Sequence, residues 1–339
     1  MAATSPWTPG ANNGGADKLA VFLKLFSGDV IRIFKQEATV RQFIRFTDIE
    51  GGKSKQWPAI GRATASYFQR GDDMIRDGSY LNDISVGERV IHLDRTLVAP
   101  TFIDKLDEKM AQYDTVSESA RELAVALSEH EDQILLRLAC VTARATTGPT
   151  ADSDIGKVLY QSTMETVATL IKGIRVAAQL LDDNKVPQSE RVLYVRPQEY
   201  RALVEDGTII NKDIGGEGSI AQGTIFFALG FRLVMTTHVP STNYVVTGNQ
   251  HAGTSAQNSY TGDFSNTVAI AMHKSAIGGI CAFQPSVRME DKIELDGTFI
   301  VAKQACGYGA LYEGAVVELS KSAAGAEMDN TAALTGYSN

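Results

Sequence analysis

The chain has 339 residues, of which 44% are hydrophobic and 21% are charged, so it can bury a substantial core and is not globally disordered. Its length predicts about two domains. The net charge of −8 disfavours sequence-specific DNA binding, because such affinity comes largely from Lys and Arg side chains on phosphates.

The first 42 residues change from a polar arm to a helix. Residues 1–15 are rich in Ala, Asn, Gly and Pro, which is typical of a flexible arm. An apolar stripe then runs from Leu19 to Phe34 with helical spacing. It lacks the preceding basic region of a signal peptide, and no stretch of the chain approaches the roughly 18 apolar residues of a membrane span. We expect a soluble protein made in the cytoplasm.

Strand-like sequence follows from residue 43 to residue 98. Phe43–Ile49 and Gln56–Gly61 flank Gly51-Gly52, which predicts a two-stranded ribbon with a Gly-Gly turn. A second ribbon is predicted to close through Arg89–Asp94. Between the ribbons, Arg70–Asp83 is polar and alternates in charge, and so long an excursion commonly contacts a partner.

The longest predicted helix covers Ser117–Ala145. Apolar residues recur at steps of three or four, Ser119 with Glu122 forms a capping box, and Thr146–Pro149 ends the helix. The charged run Glu129–Asp132 is predicted to mark its solvated side. At about 1.5 Å per residue the helix is a rod of about 40 Å, which indicates a brace rather than a catalytic scaffold.

The second half alternates between helices and strands. A second capping box, Ser162 with Glu165, predicts a helix whose buried face continues to Leu181. Pro197 is expected to begin a further helix. We expect residues 205–223 to form a Gly-rich loop and residues 323–339 to form a mobile tail. Strands are predicted at Arg191–Arg196, Phe226–Thr236 with a break at Gly230, Thr267–Met272, Ser286–Met289, Phe299–Lys303 and Ala315–Leu319.

A search for chemical motifs gives no catalytic, metal or cofactor site. Gly52-Lys53-Ser54 lacks the first glycine of a phosphate-binding loop, and Gly216–Ala221 lacks the strand that precedes a dinucleotide fingerprint. The five His residues show no metal-ligand spacing. The cysteines, Cys140, Cys281 and Cys306, match no metal pattern and no even disulfide framework, which fits a reducing cytoplasm. The empty search favours a structural protein.

Four groups of short motifs occur in order along the chain: Gly52-Lys53-Ser54 with Gln56-Trp57-Pro58 and Gly61; Val186-Pro187 with Arg191, Arg196-Pro197, Tyr200 and Leu203; Ile210–Ser219 with Gly230-Phe231 and Thr237-His238-Val239-Pro240; and Ile300–Lys303 with Gly307–Leu311, Glu313 and Ala315. Together they resemble the major capsid proteins of T7-like, autographivirus-type short-tailed phages over about Phe43–Leu319. Tyr312-Glu313-Gly314 departs from the more basic turn expected there.

The resemblance implies an α+β chain with the HK97-like phage capsid fold. It implies six regions: an N-terminal arm and helix (1–42), an extended β-hairpin loop (43–98), a peripheral domain with the long helix as its spine (99–151), most of an axial domain (152–266), strands of both domains (267–320) and a C-terminal tail (321–339). The extended loop would lie on a neighbouring subunit, and the axial domain would surround the pentamer and hexamer axes.

The function implied is that of a major capsid protein. It would self-assemble into pentamers and hexamers of an icosahedral shell around a double-stranded DNA genome, which it binds without sequence specificity. Its further partners would be a separate scaffolding protein, a portal protein at one vertex and, as another candidate, a decoration protein. It would be located in the virion capsid after synthesis and assembly in the bacterial host cytoplasm.

Two loops are expected to carry the contacts between subunits. The extended loop contributes Arg62, Arg70, Asp72, Asp73, Arg76 and Asp77, and the axial-domain loop contributes Asn211, Asp213, Gly215, Gly216 and Gly218. Two alternatives remain open at this point. One is an encapsulin-like nanocompartment shell protein of the same fold, which would enclose protein cargo. The other is an α/β enzyme with a scattered active site.

Overall fold

The computed structural model describes residues 40–70, 84–110, 115–150, 153–206, 217–219, 224–244, 260–322 and 331–333. The chain has both helices and strands and divides into two compact units. Among the described residues, the smaller unit contains 97–110, 115–129 and 285–304, and the larger unit contains the remainder. The predicted helix after Asp17 lies outside the described residues.

Four α-helices occur in the described residues: α1 (Lys105–Met110), α2 (Thr115–Ala143), α3 (Val167–Asp183) and α4 (Pro197–Asp206). Helix α4 begins at Pro197 as predicted, because the missing N–H of proline costs nothing in the first turn. Within the described part of the chain, none of the helices combines the length and the apolar character needed to cross a lipid bilayer.

A mixed sheet of eight strands forms the core of the larger unit, in the order β16-β5-β15-β12-β6-β9-β8-β7. Every residue of the two central strands β6 and β12 is buried, and each strand contains a continuous apolar run, Val192–Val195 in β6 and Val268–Met272 in β12. The strands are β5 (Lys157–Tyr160), β6 (Arg191–Val195), β7 (Glu217–Ser219), β8 (Thr224–Ala228), β9 (Phe231–Met235), β12 (Thr267–His273), β15 (Val316–Ser320) and β16 (Thr331–Ala333).

The edge strand β16 lies within the segment predicted to be a mobile tail. Its three residues pair in parallel with Val158–Tyr160 of β5, so the prediction is wrong for this part of the tail. The predicted interruption at Gly230 is confirmed. This glycine has a φ of 83° between β8 and β9, in the left-handed region that glycine adopts at no steric cost.

The remaining strands form smaller ladders. In the smaller unit, β4 (Leu97–Asp104) runs antiparallel to residues 297–304 of β14 (Gly297–Ala310). In the larger unit, β1 (Arg45–Asp48) runs parallel to residues 278–281 of β13 (Ile277–Lys292). A two-stranded ribbon joins β2 (Ser54–Ile60) to β3 (Val86–His92), and β10 (Asn243–Tyr244) pairs with β11 (Gly262–Asp263).

The predicted pairing across Gly51-Gly52 is wrong. The two glycines do turn the chain, with φ values of 84° and 95°. However, β1 pairs with β13, and β2 pairs with β3 instead. The two ribbons predicted from the sequence are thus one ribbon, whose strands are separated by residues 61–85.

The long helix α2 begins at Thr115 and ends at Ala143, close to the predicted limits. Ser119 therefore lies inside the helix, and the capping box placed at its start is wrong. The predicted solvated side is also wrong, since Glu131 and Asp132 are buried. Arg41 Nη1 donates to both Glu131 oxygens at 3.0 and 2.8 Å, and the Val40 N–H donates to Asp132 Oδ1 at 3.3 Å. These carboxylates hold the incoming chain against the helix.

Helix α3 starts later than its sequence suggests. It begins at Val167 after an N-cap Thr166 whose side chain makes no capping hydrogen bond, so the capping box of Ser162 and Glu165 is wrong. The predicted apolar face is confirmed, because Leu170, Ile174 and Leu181 are buried. Packing of this face against the sheet decides where the helix lies, which is the usual origin of helix stability in proteins.

Two of the three cysteines form a disulfide, contrary to the sequence-based expectation. Cys281 on β13 and Cys306 on β14 are bonded, with their Cα atoms 4.1 Å apart. They are 25 residues apart in the chain, and only the register of two long strands brings them together. Cys140 is free and buried, and burial raises the pKa of its thiol well above the usual range.

A buried ion pair ties the end of α2 to the eight-stranded sheet. Arg144 donates from Nε to Oε2 of Glu318 and from Nη2 to Oε1, both at 2.7 Å. Glu318, on β15, also accepts from the Thr267 hydroxyl at 2.6 Å, and Arg144 Nη1 donates to the Asp263 carbonyl oxygen at 2.6 Å. Both carboxylate oxygens therefore have charge-assisted partners, which a buried ion pair requires.

We expect Arg144→Met to lower the free energy of unfolding by about 3 to 5 kcal/mol, because it leaves the Glu318 carboxylate buried without its cation. Urea denaturation of the unassembled full-length chain measures the change. Arg175→Met is the matched control, since Arg175 lies exposed on α3 and should change stability by less than about 0.5 kcal/mol. Equal stability of the two variants would contradict the assigned role of the pair.

Candidate interaction surface on the two-stranded ribbon

The ribbon β2–β3 has two faces of different character. Along β2 the side chains alternate strictly between exposed and half-buried, as expected when one face of a strand is covered. The register places Trp57 opposite Arg89 and Ala59 opposite Gly87, on the half-buried face. The other face carries the exposed residues Ser54, Gln56, Pro58, Ile60, Val86 and Glu88.

The half-buried face lies on the segment that follows α2. Arg89 Nη2 donates to the Thr147 carbonyl oxygen at 3.4 Å. A Cβ atom at Gly87 would overlap the carbonyl oxygen of Pro149. The ribbon can lie this close to the segment only because Gly87 has no side chain. The ribbon is thus seated on its own subunit along one face.

Two arginines hold the ribbon in place through ion pairs with buried or half-buried carboxylates. Arg62, just after β2, forms an ion pair with Asp154, which also accepts from the Tyr312 hydroxyl at 2.5 Å. Arg89, on β3, forms an ion pair with Glu313, whose side chain is 1% exposed. Burial raises the pKa of the Glu313 carboxyl, while Arg89 opposes the rise. Burial and the neighbouring Asp154 carboxylate raise the pKa of Tyr312.

A cavity of about 300 Å³ lies where the ribbon meets this segment. Trp57, Arg62, Arg89 and Tyr312 are among its lining residues. Three arginines line it. Arg62 and Arg89 already pair with carboxylates of the same chain, so neither leaves an uncompensated charge that would select a ligand, and Arg45 is exposed.

The outer part of the ribbon is apolar and uncovered. Ile60 and Val86 lie directly opposite each other and are 74% and 75% exposed. Further exposed apolar side chains are found just beyond the strands, namely Tyr67, Phe68 and Ile84. Several exposed apolar side chains in one part of the chain indicate an interaction surface more strongly than a single exposed residue does. We call Ile60, Val86, Tyr67, Phe68 and Ile84 the ribbon apolar surface.

The sequence-predicted contact residues are only partly within the described chain. Arg62 is engaged by Asp154 of its own subunit, and Arg70 is exposed at the last described position before residue 84. Asp72, Asp73, Arg76 and Asp77 lie outside the described residues, as do Asn211, Asp213, Gly215 and Gly216. Gly218 lies in β7, opposite Ile225 of β8, so the prediction of a loop is wrong at this position, where pairing with β8 holds the backbone extended.

The structure adds residues that the sequence did not indicate. The sequence analysis did not identify Ile60 and Val86 as contact residues. Their position side by side depends on the pairing of two strands that are separated by 25 residues. The sequence did contain a usable signal. Successive side chains of a strand point to opposite faces, so a strand over Ser54–Ile60 places Ile60 on the same face as Ser54 and Gln56. The described residues contain no group of three or more His, Cys, Asp or Glu side chains that could hold a metal ion.

Comparisons with known proteins agree with one another. Residues 56–320 match the model of a family described as Gp10A-like major capsid protein. The chain is 27% identical over 331 residues to the major capsid protein of Enterobacteria phage T3, covering 89% of this chain and 92% of that protein. It is likewise 27% identical over 330 residues to the major capsid protein of Escherichia phage T7, covering 89% and 93%. The capsid structure of cyanophage P-SCSP1u superposes with a TM-score of 0.76 at 27% identity, covering 93% of this chain and 99% of that chain.

We expect Arg89→Met to destabilise the chain more at pH 7.5 than at pH 5. Burial raises the folded-state pKa of Glu313, so the stability that this group contributes is present at low pH and is lost as the pH rises through that pKa. Without Arg89 the pKa rises further, and the loss at pH 7.5 should be about 2 to 3 kcal/mol. Urea denaturation of the unassembled chain at both pH values measures it.

The double variant Arg89→Met/Glu313→Gln serves as the control, because it removes the buried charge and should recover most of the loss. Arg201→Met, at an exposed position of α4, should be neutral at both pH values. A loss for Arg89→Met that is independent of pH would show that the ion pair is not its cause.

Proposed function

Because the chain belongs to the Gp10A-like family of major capsid proteins, we propose that its copies assemble into an icosahedral shell around a double-stranded DNA phage genome. The chain is a phage major capsid protein with the HK97-like fold. The family is structural, and the proposal includes no catalysis. The sequence-based expectations of family, fold class and function are confirmed to this extent.

The observation that carries the assembly proposal is the ribbon apolar surface. Its own subunit holds the opposite face of the ribbon through Gly87, Arg62 and Arg89, and leaves Ile60 and Val86 exposed. A second copy of the chain is the partner that every shell supplies. Burial of apolar side chains against that copy would contribute about 25 cal/mol per Å² removed from water.

The proposed shell is built from pentamers and hexamers. A surface on one subunit that meets a different surface on the next is a heterologous contact, and such contacts close into rings. A closed shell is stable even when each single contact is weak, because many contacts act together. In this scheme residues 43–98 form the extended loop, 99–151 the peripheral domain, and 152–266 most of the axial domain.

The proposal also includes the contacts first expected from the sequence. The charged segment with Arg70, Asp72, Asp73, Arg76 and Asp77 would pair with a neighbour beyond the ribbon apolar surface. The axial-domain segment with Asn211, Asp213, Gly215 and Gly216, which continues to Gly218 in β7, would meet its equivalents around the ring axes. Arg62 is better assigned to its own subunit, because its guanidinium pairs with Asp154.

The proposed partners beyond the chain itself are a separate scaffolding protein, a portal protein at one vertex and a decoration protein. Packaged DNA is expected to be held without sequence specificity, since a chain of net charge −8 offers no strong excess of cations to the phosphates. The proposed location is the virion capsid, after assembly in the host cytoplasm.

Negative-stain electron microscopy tests the function directly. The full chain is expressed with and without a candidate scaffolding protein from the same phage, and we expect closed shells of uniform size only in its presence. Correct shells from the chain alone would remove the scaffolding protein from the proposal. Copurification of protein cargo instead of DNA from infected cells would support a nanocompartment, and small uniform particles under both conditions would contradict assembly.

We expect Ile60→Asp to abolish or strongly reduce shell formation while leaving the fold of the subunit intact. The added charge lies on an exposed position, so the free energy of unfolding should change by less than about 0.5 kcal/mol. In a contact, the same charge would be desolvated without a partner. Sedimentation separates shells from subunits, and circular dichroism reports folding.

Gln56→Asp is the matched control, because it adds the same charge to the same face of β2 nearer the base of the ribbon. We expect it to assemble. Normal shells from Ile60→Asp would show that the ribbon apolar surface is not a contact between subunits.

A further inference from the structure

A cavity of about 260 Å³ in the larger unit has a buried cation at its wall. Gln133 and Arg137 of α2 line one side, residues 237–242 line another, and Tyr244 and Phe264 complete it. Arg137 is only 8% exposed. The cavity is separate from the ribbon and shares no lining residue with the cavity beneath it.

Arg137 has no anionic partner among the described residues. Its Nη2 donates to the neutral Gln133 Oε1 at 3.2 Å, and its guanidinium carbon lies 3.6 Å from the centroid of the Tyr244 ring. The other buried arginine of the described chain, Arg191, pairs with Asp182, and Arg144, whose side chain is 9% exposed, pairs with Glu318. Arg137 therefore differs from them, because no carboxylate among the described residues compensates its charge.

The adjoining sequence cannot supply the missing charge. Residues 245–259, which directly follow Tyr244, contain neither Asp nor Glu. A buried guanidinium without an anion is costly, because the charge has lost its hydration without gaining an ion pair. The partner must then come from outside this part of the chain.

The stacking geometry selects the kind of anion. A guanidinium that lies on an aromatic ring keeps its N–H groups directed outward in its own plane. These donors form a planar fork that matches the two oxygens of a carboxylate. The hydroxyl groups of Ser241 and Thr242 line the same cavity and can add neutral hydrogen bonds to such a group.

We propose that the Arg137 cavity is a carboxylate-binding site, and that an Asp or Glu side chain of a second copy of the chain fills it in the assembled shell. The inference rests on the proposed self-assembly. The charge balance favours a second copy as the source, because each copy carries 40 acidic but only 32 basic residues and so has carboxylates in excess. A bidentate pair would fix the register of the two copies as well as add affinity.

Carbodiimide coupling of shells from the full chain tests the site. The reagent joins an amine to a carboxylate in direct contact, whereas arginine does not react. Arg137→Lys places an amine in the cavity, so we expect cross-linked dimers on a denaturing gel, well above the background of wild-type shells. Shells assembled from mixed unlabelled and ¹⁵N-labelled chains identify coupling between copies by mass spectrometry of the linked peptide.

Arg175→Lys is the control for an amine at an exposed helical position, and it should give no specific linked peptide. Arg137→Met, which removes the charge, should raise the subunit concentration needed for assembly by about tenfold or more. A linked peptide within one chain only, or no linked peptide in intact shells, would overturn the inference while leaving the assembly proposal standing. Failure of the wild-type chain to form shells would instead contradict the assembly proposal itself.

A free anion is the remaining source to distinguish. Thermal unfolding of the unassembled wild-type chain and Arg137→Met is compared in acetate, inorganic phosphate and chloride. Stabilisation of the wild type alone by phosphate, together with absent cross-linking in shells, would assign the cavity to a free oxyanion and overturn the second copy as its partner. Stabilisation by acetate that Arg137→Met abolishes, together with the cross-link, supports the proposal.

Discussion

The buried ion pair between Arg144 and Glu318 is the constraint on which the larger unit depends. It joins the C-terminal end of the long helix to a strand near the middle of the eight-stranded sheet, where Glu318 is fully buried and the Arg144 side chain is 9% exposed. Thr267 and the backbone of Asp263 complete the hydrogen bonds. Because both ions are satisfied only in one arrangement, the pair fixes where the helix ends relative to the strands, in addition to any contribution to stability.

Charge in this chain serves mainly to hold the subunit to itself. Glu131 and Asp132 hold the segment at Val40 and Arg41, and Asp154 and Glu313 hold the ribbon. With these polar groups paired internally, the ribbon presents apolar side chains outward. We therefore propose that the ribbon recognises a neighbour by shape and apolar contact rather than by the charges first expected. Arg137, which has no anionic partner among the described residues, is the buried arginine for which we propose an external carboxylate.

Local patterns in the sequence predicted much of this fold. The buried strand at Val192–Val195, the helix beginning at Pro197 and the break at Gly230 follow from apolar runs and from the geometry of proline and glycine. The family motifs added the fold class and the function. Features that depend on long-range register were missed. The burial of Glu131, the pairing of β2 with β3 and the disulfide each join residues 25 or more positions apart, which no local period encodes.

The disulfide between Cys281 and Cys306 has a consequence for chemical analysis of the protein. The ring that it closes contains every residue from 285 to 304, the whole C-terminal segment of the smaller unit. A protease that cuts once anywhere in this segment therefore cannot release a fragment. The nicked chain would keep its full mass and migrate as intact protein until a reducing agent separates the two pieces.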